Sequence, residues 1–376
     1  MMIDSAELRA ACSRRLDEAA ASVRSLRAFV GLDGFVDEIL HVVDKRESAE
    51  RFTRMDTIAT LADRLGGAAG KSTNLELVPQ MTKLGGNGPI MANALASFGL
   101  QVTYLGILGY PNLHPVFADF ARRAEVHSIA EPGHTDALEF QDGKVMVGKH
   151  ASLKEFTWAN IQARFGRQQF HRKLESAAFI GFVNWTMIPY MSDVWEAILT
   201  EICPQLTGPR RRIFFDLADP EKRTPADIRR ALDLIGRFQQ HFDVILGLNE
   251  KEANEIGSVL GLRGRDHDPD ALAELAGQIT ARLPIETVVV HPTKYAVAVS
   301  GPNRVLVKGL FTAQPRITTG AGDHFNAGFC LGKLIGLDNT QSVLTGVTTS
   351  GYYVRTGQSP SVEQVASMMR QWPNEW

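Results

Sequence analysis

Ile317-Thr318-Thr319-Gly320-Ala321-Gly322-Asp323-His324-Phe325-Asn326-Ala327-Gly328 is the stretch whose reading decides the fold. Upstream of it, Arg304 to Lys308 (RVLVK) reads as a strand, and from Gly322 onward the chain reads as an apolar helix. Thr318 to Gly322 therefore bridges strand to helix. Its two glycines let the backbone turn tightly and approach a ligand with no Cβ in the way. The first turn of the helix has N–H groups without intrahelical partners and carries the positive end of the dipole, which makes a cradle for an anion. Asp323 lies in the same turn. A carboxylate that takes a proton from an attacking hydroxyl, beside amides that hold a phosphoryl group, is what phosphoryl transfer to an alcohol requires. Read by itself, Gly-Ala-Gly-Asp is equally a turn with Asp323 as a helix cap.

Composition bounds the rest. The chain has 376 residues, 44% of them hydrophobic, and a formal net charge of −2. That is enough to build a large α/β core, and the charge speaks against nucleic acid or an anionic membrane as partner. No apolar run is long enough to span a bilayer, and residues 1–26 lack the apolar segment of a signal peptide. Cys12, Cys203 and Cys330 are far apart and odd in number, which predicts reduced thiols and a cytoplasmic location.

In chain order, Asp4 to Leu26 reads as a helix with Asp4 or Ser5 as its cap, followed by a strand over Arg27 to Leu32. Val30-Gly31-Leu32-Asp33-Gly34-Phe35-Val36-Asp37 then runs into a turn rich in acids. Carboxylates hold the vicinal hydroxyls of a sugar well, although such a turn is equally a solvated one. Gly66 to Asn74 looks like a phosphate loop, but only three residues separate Gly66 from Gly70 where four are needed, and a helix rather than a buried strand precedes it. Lys83-Leu84-Gly85-Gly86-Asn87-Gly88-Pro89-Ile90-Met91-Ala92 opens a helix of small residues that Gly99 ends, and a buried strand follows. Residues 127–149 alternate short apolar runs with turn signals at Pro132-Gly133 and Asp142-Gly143, as hairpins do.

From Ala177 onward, nearly continuous apolar strands alternate with helices, which argues for a parallel sheet covered on both faces. Ligands of such sheets gather at the carboxyl ends of the strands, where Asp216, Asn249 and Asp323 are expected. Asn249 and Glu252 read as a capping box.

Together these motifs resemble the ribokinase-like (PfkB) carbohydrate kinases. The match is carried by Thr318 through Gly328, then by Gly85, Gly86, Gly88 and Ala92, then by Asn249-x-x-Glu252. The resemblance implies one α/β kinase domain over residues 1–376. Its fold would be a mostly parallel sheet with helices on both faces and a small β lid drawn from segments within 35–83 and 134–149. It implies ATP-dependent phosphorylation of a hydroxyl on a sugar or sugar-containing molecule. Asp323 would be the base, with the turn of Gly320, Ala321 and Gly322 stabilising the phosphoryl group. Asp37, or Asp33 as second choice, would hold the substrate with Gly85, Gly86 and Asn87. Asn249, Thr318, Gly322 and Gly351 would border the nucleotide, and Glu252 and Asn249 would place Mg2+. The family adds a monovalent cation such as K+ and a homodimer formed through the lid.

Four positions depart from the family pattern. Asn87 replaces a lysine, Ile90 an asparagine, Ile317 an acid, and His291 begins a segment that replaces Thr-x-Gly. These departures keep two alternatives open. One is a nucleoside kinase of the same fold, with Phe35, Phe140 and Trp185 as a slot for a base. The other is a sensor of sugar or nucleotide without turnover.

Overall fold

The structure is a computed structural model that describes residues 2–264 and 268–373. In chain order its strands are β1 (Arg27–Gly31), β2 (Phe35–Arg46), β3 (Phe52–Arg54), β4 (Leu77–Gly85), β5 (Gln101–Gly106), β6 (Glu125–Ser128), β7 (Gly133–Phe140), β8 (Gly143–Lys149), β9 (Phe179–Val183), β10 (Arg211–Asp216), β11 (Phe242–Leu248), β12 (Thr287–Val290), β13 (Tyr295–Ser300) and β14 (Asn303–Lys308). Nine of them form the central sheet in the order β14-β13-β12-β11-β10-β9-β1-β5-β6. From β6 to β12 every pairing is parallel, and β13 and β14 add an antiparallel edge.

The strands are apolar throughout because both faces are covered. Along β1 and β9, Phe29, Ile180 and Phe182 point into one core, and Ala28, Val30, Phe179 and Val183 into the other. The first core is closed by helices bearing Phe170, Trp195 and Phe238, the second by helices bearing Leu16, Leu95, Phe329 and Val365. Each fully buried aromatic or branched side chain contributes about 1.5–3 kcal/mol by leaving water. This is the helix-covered, mostly parallel sheet that the alternating apolar runs predict.

A second, five-stranded sheet stands apart, with β2 pairing β3 and β4 on one side and β7 on the other, and β8 at the far edge. Its strands come from residues 35–54, 77–85 and 133–149, the segments expected to form the lid. One face packs on a small core of Leu40, Val42, Met55, Leu61, Leu138 and Phe140. Met81, Met146 and Val147 are exposed on its strands. The Gly66 to Asn74 stretch is an exposed turn after the Ile58–Gly67 helix, with Arg64 Nη2 donating to the Asn74 carbonyl at 3.1 Å.

Candidate active site

Five strands of the central sheet deliver a polar residue just past, or at, their carboxyl ends. Asp33 follows β1, Asn184 follows β9, Asp216 ends β10, Asn249 follows β11 and His291 follows β12. Two helices, Asn87–Ser97 and Ala321–Leu334, point their N-termini at the same region. The positive ends of both dipoles thus meet where strand order places the ligand crevice.

Asp33 is fully buried, and its carboxylate has no room for another donor. Oδ1 accepts from the Gly88 amide (2.9 Å) and the Tyr104 hydroxyl (3.3 Å), and Oδ2 from the Asn87 amide (3.1 Å) and Asn184 Nδ2 (2.6 Å). It caps the Asn87–Ser97 helix from a distance, where Gly86 has no side chain to do so. Burial raises its carboxyl to about 6, against the pull of these donors. A Cβ on Gly86 would stand 2.8 Å from Asp33 Oδ2, and one on Gly88 2.4 Å from Oδ1, so both positions require glycine.

Asp37 differs. It lies on β2 between Thr135 of β7 and Lys83 of β4, and it is buried. Burial raises its carboxyl, while the Lys83 charge and the Thr135 hydroxyl oppose the rise. A Cβ on Gly85 would fall 2.4 Å from its carboxylate. Asp37 therefore lies across Gly85 as Asp33 lies across Gly86 and Gly88, but with oxygens to spare. Asp33 is thus engaged in shaping the turn, whereas Asp37 faces Gly85 beside Lys83 and Thr135.

Asp323, on the first turn of the Ala321–Leu334 helix, is buried, and Asn87 Nδ2 donates to its Oδ1 at 3.0 Å. Its carboxyl is pushed up to about 8. Burial is the main cause, the Asp33 and Glu252 charges add to it, and the Asn87 bond opposes it. Gly320, the residue before the helix, has φ +90°, and a Cβ there would meet Ile90 at 3.1 Å. Ile90, polar in the family pattern, packs against the loop instead. Ala321 needs a correction. Its amide, expected to face a phosphoryl group, donates to the Thr318 carbonyl at 3.1 Å because the turn before the helix closes on itself.

Beside the loop lies a cavity of about 580 Å³. Asn249, Thr318, Gly322 and Gly351, the four residues expected to border the nucleotide, all line it, with Leu310, Phe311 and Val354 as apolar wall. Gly351 keeps the wall thin, since a Cβ there would meet the Leu310 side chain at 2.7 Å. The departing segment is here too: His291, Pro292 and Thr293 line the same cavity. The His291 ring lies 4.7 Å from that of Phe325, and burial pushes its imidazole down to about 4, so it is neutral at pH 7.

Asn249 and Glu252 form the capping box, each accepting the other's amide at 2.9 Å. Glu252 also accepts from the Asp219 amide at 2.9 Å. Burial raises the Glu252 carboxyl, and Asp219's charge adds to the rise. Asp216 is raised well above the usual range by burial and by the Glu252 and Asp323 charges, while Asn326 Nδ2 donates to it at 3.0 Å. The three buried carboxylates repel one another, while among the described residues the acids gathered closely enough to share one ion are Asp219, Glu221 and Glu255.

Sequence reasoning missed the partners. Asn184, Tyr104 and Asn326 hold Asp33 and Asp216 through contacts 151, 71 and 110 residues apart in sequence, which no local pattern signals. Of the three aromatics expected to form a slot for a base, Phe35 lies beside the Gly86 turn and the other two lie elsewhere. Phe140 belongs to the small sheet's core, and Trp185 is fully buried with its Nε1 donating to Ser192 Oγ at 2.8 Å. Among the described residues, no helix is long and apolar enough to cross a membrane.

Known proteins agree with this architecture. Residues 3–372 match the model of the prokaryotic ketohexokinase family. A ketohexokinase of Haloferax volcanii is 27% identical over 341 residues, covering 90% of this chain and 89% of that protein. Among solved structures, phosphofructokinase-2 from Escherichia coli in complex with substrates and products superposes with a TM-score of 0.63 at 14% identity, covering 92% of this chain and 99% of that one. Arabidopsis thaliana ribokinase complexed with ribose and ATP gives 0.62 at 14% identity, with 92% and 98% covered. Ribokinase from Thermotoga maritima gives 0.60 at 16% identity, with 92% and 99% covered. At these identities the solved structures speak for the fold, the ribokinase fold, while the family match extends over almost the whole chain. The chain belongs to the prokaryotic ketohexokinase family, and it is a carbohydrate kinase.

Proposed function

We propose that this kinase transfers the γ-phosphoryl group of ATP to a hydroxyl of a ketohexose, with Asp323 as the base. One observation carries the reading: a buried carboxyl raised to about 8 stands between the Asp37–Gly85 side and the 580 Å³ cavity, at a helix N-terminus. The sugar hydroxyl oxygen forms the new P–O bond while the bond to the β-phosphate breaks. The hydroxyl proton passes to Asp323, and ADP leaves. Asp37 holds neighbouring hydroxyls, and Asn87 fixes the Asp323 carboxylate toward them. The nucleotide occupies the cavity between Thr318, Gly322 and Gly351. Glu252, Asn249 and Asp216 would hold Mg2+ through its waters, and the bound ion would offset charge on the phosphates. Ile317 brings no carboxylate for a monovalent cation, so such an ion would have main-chain and threonine oxygens to rely on. Exposed Met81, Met146 and Val147 on the small sheet support a homodimer through that sheet.

The test is ADP release with Mg-ATP across ketohexoses, aldohexoses, pentoses and nucleosides, run beside Asp323→Asn. Turnover on a ketohexose that collapses in the variant supports the reading. Preference for a nucleoside, or full activity in the variant, overturns it.

A further inference from the structure

The outer side of the Thr318–Gly322 loop is held by side chains that meet neither reactant. His324 is buried, and its Nδ1 lies 2.7 Å from the Gly320 carbonyl oxygen. A carbonyl only accepts, so Nδ1 carries the proton and Nε2 is left as an acceptor. The Ser359 hydroxyl, 2.8 Å away, donates to Nε2, and Asn93 Nδ2 donates in turn to Ser359 Oγ at 3.3 Å. The chain of donors fixes one tautomer. Tyr353 stacks on the imidazole with ring centres 3.6 Å apart and planes 13° apart, and its hydroxyl donates to the Thr319 carbonyl at 2.9 Å. Gly320 O also accepts the His324 amide at 3.0 Å, so both of its lone pairs are engaged.

We infer that His324 and Tyr353 are positioning residues for phosphoryl transfer, holding the Thr319 and Gly320 carbonyls away from the phosphoryl site. The inference rests on the reading of Asp323 and its loop as the reaction centre. A loop with two glycines flips a peptide at little cost. A flipped peptide turns a carbonyl oxygen toward the anion and repels it. In a planar trans peptide, the direction of each carbonyl fixes that of the next amide. Holding Thr319 O and Gly320 O therefore fixes the amides of Gly320 and Ala321, and with them the start of the helix that carries Asp323. The clamp acts on the geometry of transfer rather than on the binding of either reactant, so its loss falls on kcat.

The experiment compares His324→Ala, His324→Asn and Tyr353→Phe with the parent enzyme for kcat, for KM of sugar and of ATP, and for melting temperature, with Asp323→Asn alongside. His324→Ala is expected to lower kcat tenfold or more, with both KM values within threefold. His324→Asn offers an amide donor to the same carbonyl and is expected to restore kcat to within threefold. Tyr353→Phe keeps the stack but not the hydroxyl, and is expected to lower kcat at least threefold at unchanged melting temperature. It carries the test if His324→Ala does not fold. The clamp is overturned if kcat stays within twofold in Tyr353→Phe, or in a folded His324→Ala, or if the alanine and asparagine variants lose activity equally as their melting temperatures fall. An inactive Asp323→Asn beside unaffected clamp variants removes this inference alone, whereas a fully active Asp323→Asn removes the reaction-centre reading beneath it.

Discussion

Asn87 Nδ2 donates to Asp323 Oδ1 across 3.0 Å, and through that bond two glycine-rich motifs 236 residues apart converge on one carboxylate. The bond favours the ionised form of Asp323 against burial and the Asp33 and Glu252 charges, which favour the neutral form. Activity that needs the ionised base should rise with pH and level off above about 8. Asn87→Ala removes the opposing donor, so its activity limb should lie at higher pH than the parent's. Initial-rate profiles of kcat/KM between pH 6 and 10 check this, and a limb at unchanged or lower pH would refute it.

The same carboxyl makes a prediction about stability. Its value in the folded protein, about 8, lies above the ordinary 3.8, so folding favours the protonated form. The stability it contributes is complete at pH below about 4 and is lost as pH rises through about 8. Asp323→Asn should therefore melt with the parent at low pH and above it at pH 8 and beyond, while losing activity by about 10²–10⁴-fold. Melting curves across that range, read beside turnover, check both halves.

Asp33 and Asp37 should separate cleanly on substitution. Asp33→Ala leaves the Asn87 and Gly88 amides and Asn184 Nδ2 without their acceptor, while the Tyr104 hydroxyl keeps the Asp33 main-chain carbonyl, and it should cost at least about 2 kcal/mol of stability. Asp37→Ala removes a carboxylate with oxygens to spare and should raise the sugar KM tenfold or more with little change in melting temperature. Equal destabilisation by the two would contradict the division of labour between them.

Gly351 should report on the nucleotide side alone. A side chain there collides with Leu310 at 2.7 Å and drives it toward the cavity. Gly351→Val should raise KM for ATP at least tenfold and leave KM for the sugar within twofold. Steady-state kinetics with each substrate varied in turn decide it.

Much of this was legible in the sequence, for reasons that particular residues show. Strands such as β9 and β11 are buried on both faces, so their apolar runs stand out without any partner being known. Asn249 and Glu252 signal a capping box because the interaction is local. The Gly85–Gly88 turn was legible as a close approach, but not what approaches it, since Asp33 and Asp37 reach it from another part of the chain. For the same reason, Asp33 could not be ranked against Asp37 before Tyr104 and Asn184 were seen to saturate it. The engagement of the Ala321 amide by Thr318 depends on how a single turn closes, which residue types alone do not dictate.

Asp33 and Asp37 are four positions apart, yet Asp33 lies just past β1 of the central sheet and Asp37 rides on β2 of the small one. Gly34 lies between the two bodies. The Gly85–Gly88 turn is therefore pinned from both sheets at once, by Asp33 at the Asn87 and Gly88 amides and by Asp37 across Gly85. A shift of the small sheet against the central one would reach Asp323 through Asn87, whose side chain holds that carboxylate.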